Sequence, residues 1–263
     1  MNGNTIVETL NGAVLEITLN RPAQLNSFNE DMHKAFHNAL IRARDDDDVR
    51  AVLLTGTGRG FCAGQDLGDR NPDTMDTPPD LEHTISEFYN PVVRLIRSIS
   101  KPIICAVNGV AAGAGANLAL ACDIVFAAKS AKFIQSFVKV GLVPDAGGSW
   151  VLPRLIGEAR AKALAMTAQP LFAEQAQEWG LIWSAVDDDM LLTEARDMAQ
   201  SLSKGATFGI GLTKDAIQQA ANHSLDAHLE LEAKYQGRAG RTNDYAEGIR
   251  AFLQKRTPQF KGQ

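Results

Sequence analysis

Two short loops of small residues each follow a run that reads as a buried strand. The first is Gly60-Phe61-Cys62-Ala63-Gly64-Gln65-Asp66-Leu67, and the second runs from Asn108-Gly109 through Gly113-Ala114-Gly115-Ala116-Asn117. Small residues let a ligand approach the backbone closely, and N–H groups left free there can hold a developing negative charge. The same composition also suits a helix packed tightly on a sheet. A third segment, Val143-Pro144-Asp145-Ala146-Gly147-Gly148, places one carboxylate among apolar neighbours ahead of an apolar helix. Asp145 could cap that helix. From spacing alone the cap is the favoured reading, and the other is a proton shuttle with its pKa raised by its surroundings.

Other chemistries are excluded. The chain has no G-x-G-x-x-G nucleotide fingerprint, no G-K-[ST] phosphate loop and no G-x-S-x-G nucleophile elbow. No tyrosine is followed by Lys four positions later, which disfavours a short-chain dehydrogenase. The histidines are His33, His37, His83, His223 and His228, with no H-E-x-x-H. His33 and His37 lie one turn apart on a helix, but no acidic or thiol partner is near. They are expected on a solvated helix face, and no metal site is expected. Cys62, Cys105 and Cys122 lie far apart and read as reduced thiols. The 26 Lys and Arg against 31 Asp and Glu give a net charge of −5, which provides no basic field for a nucleic acid. The first residues carry no signal-peptide pattern, and the apolar runs are too short for a bilayer. A cytoplasmic protein with no membrane partner is expected.

The elements that must hold these loops follow from periodicity. Thr5–Leu10 and Ala13–Leu19 flank Asn11-Gly12, a strong hairpin signal. Asn29 can cap a helix with Met32, Phe36 and Leu40 on one face, followed by the solvated acidic turn Asp45–Asp48. Val49–Leu54, Ile103–Val107 and Ile124–Ala127 read as buried strands, with Pro91–Ile99 helical. Strands alternating with helices argue an α/β fold with a mainly parallel sheet. From Ala159 onward the pattern is almost wholly helical, with a hinge at Leu202–Gly205 and a last helix at Tyr245–Lys255.

The two loops, the run Lys101–Gly109 and Cys122-Asp123-Ile124 resemble the crotonase, or enoyl-CoA hydratase/isomerase, superfamily. The motifs match in order from about Thr5 to Lys255-Arg256 near the end. The resemblance implies a spiral ββα core over residues 1–202 and a C-terminal α-helical trimerisation region over 203–263. It implies an acyl-CoA thioester as substrate, with coenzyme A part of that substrate and no separate cofactor. It further implies a homo-trimer or dimer of trimers, and it allows a complex with a hydratase paralogue. The oxyanion hole maps onto the backbone N–H groups of Gln65 and Ala114. Ala63, Gly64, Gln65, Asp66 and Leu67 map onto the CoA-binding loop, and Gly113, Asn117 and Phe137 onto further substrate contacts. The Gln65 side chain is either a substrate contact or solvated. Lys255 and Arg256 are candidates for the CoA phosphates.

Hydratases of this superfamily hold a water with two glutamates. Their positions carry Asn117 and Phe137 here, and neither can do acid–base work at neutral pH. Asp145 stands where hydratases usually carry glycine and several isomerase branches carry Asp. A finer resemblance, on Glu87–Pro91, Gly141–Asp145 and Glu178–Trp183, is to the branch that acts on the ring epoxide of phenylacetyl-CoA. The expectation is an isomerase that forms an oxepin-CoA, with Asp145 catalytic and Phe137 making the pocket apolar. The alternatives are a straight-chain Δ3,Δ2-enoyl-CoA isomerase or hydratase-like enzyme, and a non-catalytic acyl-CoA-binding subunit.

Overall fold

Asn11 and Val14 face each other across a two-residue turn, joining strands β1 (Ile6–Asn11) and β2 (Val14–Leu19) as an antiparallel hairpin. The computed structural model describes residues 4–263 except 71, 74 and 76. From β2 onward a large sheet grows by parallel addition of β3 (Ala51–Gly56), β5 (Ile103–Val107), β7 (Ile124–Ala128) and β10 (Ser184–Val186). After β3, β5 and β7 the chain turns into a short strand: β4 (Gly60–Cys62), β6 (Val110–Ala112) and β8 (Lys132–Ile134). These stack in parallel as a second sheet, closed by β9 (Leu171–Phe172) antiparallel to β8. A long strand, a short strand and a helix thus repeat as a spiral of ββα turns.

The helices are α1 (Glu30–Asp45), α2 (Leu81–Thr84), α3 (Asn90–Ser98), α4 (Ala114–Ala121), α5 (Gly148–Thr167), α6 (Ala173–Glu178), α7 (Leu191–Ser203), α8 (Thr207–Ala220), α9 (Leu225–Ala239) and α10 (Asn243–Leu253). Asn29 starts α1 by accepting from the Met32 N–H at 3.0 Å, and the stripe Met32, Phe36, Ala39, Leu40 and Ala43 is buried. All eight residues of α4 are buried, so this helix sits inside the spiral. A Cβ at Gly115 would stand 2.4 Å from the Cys62 carbonyl. The small residues of the second loop therefore pack α4 against β4.

The sequence departs from its expected pattern after Ala159. Two strands, β9 and β10, interrupt the helices there, and α5, which spans that point, breaks just before it at Gly157. Strands of two and three residues are too short to show periodicity, and each exists because an open sheet edge accepts it. Turn 204–206 separates α7 from α8. Arg50 ties this turn to the chain end, donating to the Gly205 carbonyl at 2.6 Å and the Phe260 carbonyl at 3.0 Å. Among the described residues, no helix is long and apolar enough to cross a membrane.

Candidate active site

A cavity of about 630 Å³ opens where the two small-residue loops meet the segment that carries Asp145. Its wall includes Ala63, Gly64, Gln65, Leu67, Gly113, Ala114, Phe137 and Asp145.

The first loop is stitched to the residues before α1. The Ala63 N–H donates to the Leu25 carbonyl (2.9 Å), the Phe28 N–H to the Gly64 carbonyl (2.7 Å), and the Asp66 N–H to the Phe28 carbonyl (2.9 Å). That pattern skips the Gln65 N–H, for which no acceptor is found among the described residues. The second loop supplies Ala114, the first residue of α4. Its N–H is one of those that have no intrahelical acceptor, at the positive end of the helix dipole. Gly64 has φ 91°, and a Cβ there would lie 3.0 Å from the Ala112 carbonyl and 3.4 Å from the Ala114 nitrogen. Glycine at 64 therefore permits the first loop to approach the backbone at the start of α4 closely.

Asp145 does not cap α5. The N-cap position is Gly147, and no side chain bonds the first turn. Ala146 (φ 47°) and Gly147 (φ 80°) both adopt left-handed backbone, and the chain reverses there. Asp145 lines the cavity, and its Oδ1 is buried with no hydrogen-bond partner among the described residues. Burial pushes its pKa up to about 6, against the opposing pull of the Arg70 guanidinium. Such a carboxyl exchanges its proton near neutrality, as a shuttle requires.

Two residues expected to touch substrate do not line the cavity. Asn117 is wholly buried behind it: its Nδ2 donates to the Asp145 carbonyl at 2.8 Å, and its Oδ1 accepts from Gln135 Nε2 at 2.8 Å. Its two-sided amide suits this supporting role, because it can satisfy a carbonyl and an amide at once. Asp66 is drawn away by Arg21, at 2.9 Å, and by the Gly68 N–H, at 3.0 Å.

The Gln65 side chain is spent on partners within the protein. Its Nε2 donates to the Phe28 carbonyl (2.9 Å), and its Oε1 accepts from the Tyr89 hydroxyl (3.1 Å). His33 likewise departs from expectation: it is buried, with Nε2 3.3 Å from the same Gln65 oxygen, and burial lowers its pKa to about 4. Cys62 is buried, accepts from the Gly64 N–H, and has its thiol pushed up to about 12, so it is no nucleophile.

Phe137 lies on the wall 3.7 Å from where a Gly113 Cβ would stand. Leu142 and Val143 extend the apolar lining beside Asp145. Sequence reasoning missed Arg70 and Tyr89, which also line the cavity. No motif marks Arg70, and Tyr89 lies within Glu87–Pro91, where the resemblance assigns it no role. Arg256 pairs with Glu247 at 2.6 Å, and neither it nor Lys255 borders the cavity. Among the described residues no His, Cys, Asp and Glu cluster could hold a metal ion.

Residues 9–263 match the Enoyl-CoA hydratase/isomerase family, and the chain belongs to it. Over 257 residues, 98% of each chain, it is 54% identical to the 1,2-epoxyphenylacetyl-CoA isomerase of Escherichia coli strain K12. It is 34% identical, over the whole of both chains, to the trans-2-decenoyl-[acyl-carrier-protein] isomerase of Streptococcus mutans. Its fold matches the crystal structure of an enoyl-CoA hydratase from a Polaromonas species with a TM-score of 0.91. The two are 36% identical, covering 97% of this chain and 99% of that one.

Proposed function

We propose that this enzyme isomerises acyl-CoA thioesters, and that its substrate is the ring epoxide of phenylacetyl-CoA, converted to an oxepin-CoA. The observation that carries this reading is the Asp145 carboxyl: unpaired at Oδ1, raised to about 6, and in the same cavity as the two small-residue loops. The N–H groups of Gln65 and Ala114 would hold the thioester oxygen. Proton removal from the carbon next to a thioester puts charge on that oxygen, and fixed donors in a dry site stabilise it. Asp145 would take the C2 proton and return it elsewhere on the conjugated system. Opening the bond shared by the epoxide and the six-membered ring gives the seven-membered ring with every atom conserved. No redox cofactor or metal is needed for either change.

Support for isomerisation over hydration comes from two positions. The buried Asn117 is committed to Asp145 and Gln135, and Phe137 gives an apolar wall where a second carboxylate would be needed. The apolar wall also suits an aromatic ring. A second reading is transposition of a straight-chain 3-enoyl-CoA double bond to the 2 position, which the same base and donors would serve. The relative that isomerises a decenoyl chain favours it. A screen of CoA thioesters with mass and ultraviolet detection tests both. Turnover of the ring epoxide above that of a 3-enoyl-CoA supports the first reading, and the reverse order supports the second. Binding without turnover of either would leave only a carrier subunit.

A further inference from the structure

Tyr89 and His33 are polar, buried and unused by the chemistry above. Tyr89 closes a single π-helical turn, Ile85–Tyr89, ahead of α3 and is 1% exposed. Such turns re-aim one side chain within a helix and occur often at functional sites. Here the Tyr89 hydroxyl is brought to Gln65 Oε1 at 3.1 Å. His33, on α1, approaches the same oxygen at 3.3 Å; because the amide oxygen only accepts, His33 Nε2 carries the proton. The opposite end of the Gln65 amide donates to the Phe28 carbonyl at 2.9 Å. The rings of His33 and Tyr89 pack edge to face at 4.5 Å and 87°, and Phe28 lies 4.8 Å from His33. The tip of Gln65 is therefore held from both ends inside a packed aromatic cluster.

This grip has a use that core packing alone does not explain. The Gly64–Gln65 peptide is fixed at its oxygen by the Phe28 N–H. The Ala63 and Asp66 N–H bonds hold the chain on either side, but within this peptide one hydrogen bond sets the oxygen and none holds the N–H, so the plane keeps some swing about that oxygen, and glycine at 64 adds no stiffness. Anchoring the far end of the Gln65 side chain removes that freedom. We propose that Tyr89 is a positioning residue for the oxyanion contact, acting with His33 through the Gln65 side chain to lock the peptide whose N–H meets the thioester oxygen. The inference rests on the oxyanion assignment given above.

The test is a double-mutant cycle of Tyr89→Phe and Gln65→Ala, read by steady-state kinetics. Its second arm is the infrared band of phenylacetyl-CoA labelled with 13C at the thioester carbonyl and bound to each protein. Tyr89→Phe should lower kcat about tenfold with KM changed less than twofold, because small misplacements at a reacting centre are costly. The double variant should match Gln65→Ala, since a residue that acts through another adds nothing once that other is gone. The bound carbonyl band, shifted to lower frequency in the wild type, should move back toward its free position in both single variants. Additive losses with an unmoved band would make Tyr89 a direct substrate contact and overturn the inference, as would a wild-type rate in Tyr89→Phe. No shift of the band in the wild-type protein would instead overturn the oxyanion assignment itself.

Discussion

Asn117 Nδ2 donates to the backbone carbonyl of Asp145 at 2.8 Å, so a side chain from inside α4 holds the peptide that carries the carboxylate. The same carbonyl accepts from the Gly148 N–H at 2.8 Å. Position 117, where the family's hydratases are expected to carry a glutamate, thus supports a neighbouring acid here.

Asn117→Asp should therefore damage the protein more than its size suggests. The carboxylate cannot donate to the Asp145 carbonyl, and it faces that oxygen from a fully buried position. A loss of about 2–3 kcal/mol is expected, the cost of leaving buried polar groups unsatisfied. Denaturant unfolding at pH 7 measures it. A change below about 0.5 kcal/mol, typical of a neutral surface substitution, would show that the hydrogen bond carries no weight.

Asp145→Asn should separate activity from stability. Loss of a lone general base costs on the order of 10²–10⁴ in turnover. Stability should move the other way at neutral pH. The folded protein holds the Asp145 proton to about pH 6, whereas the unfolded chain releases it near 3.8, so the favourable contribution is complete below 3.8 and is lost as pH rises through 6. At pH 8 Asp145→Asn should be more stable than wild type by on the order of 1–3 kcal/mol, and at pH 3.5 the two should agree. His33 contributes with the opposite sign. Its folded pKa of about 4 lies below the ordinary 6.5, so stability falls as pH drops from 6.5 to 4. That contribution is common to both proteins and cancels in the difference.

The same carboxyl, as the proposed base, should set the pH dependence of catalysis. For free enzyme, kcat/KM on an isomerisable thioester should rise with pH through about 6 as Asp145 becomes the base form, then level off. A profile flat from pH 5 to 8 would remove Asp145 from the proton transfer.

Much of this site was legible in the sequence because its parts are local. Glycine and alanine runs mark both loops, and Pro144-Asp145-Ala146-Gly147 marks the carboxylate. Whether Asp145 caps a helix could not be read, since it depends on the left-handed backbone at Ala146 and Gly147. His33 was misplaced because it lies at the edge of the Met32–Phe36 stripe of α1 and was paired with His37 one turn on; Phe28, Phe88 and Tyr89, whose rings pack on it, come from outside the helix. Asn117 and Asp66 sit beside true wall residues in sequence, yet each turns toward a partner 28 and 45 positions away, Asp145 and Arg21 respectively. Strands β9 and β10 were invisible because pairing, not pattern, creates them.

The helices after residue 206 carry the last expectation, self-association. Phe252 is 81% exposed, Leu253 and Leu225 are each 74% exposed, and Ile217 is 70% exposed. Isolated apolar side chains on a surface are ordinary, but Phe252, Leu253 and Ile249 share one helix, α10, and form a patch. Charged substitution there should cost the folded chain little, because no intrachain packing is lost, while an apolar interface between copies would be disrupted. Light scattering on the wild type should give a trimer or a dimer of trimers at micromolar concentration. Phe252→Asp should shift that mass toward the monomer, with its circular dichroism spectrum unchanged. A monomeric wild type would remove the oligomer from this account, and an unshifted Phe252→Asp would place the contact on another face.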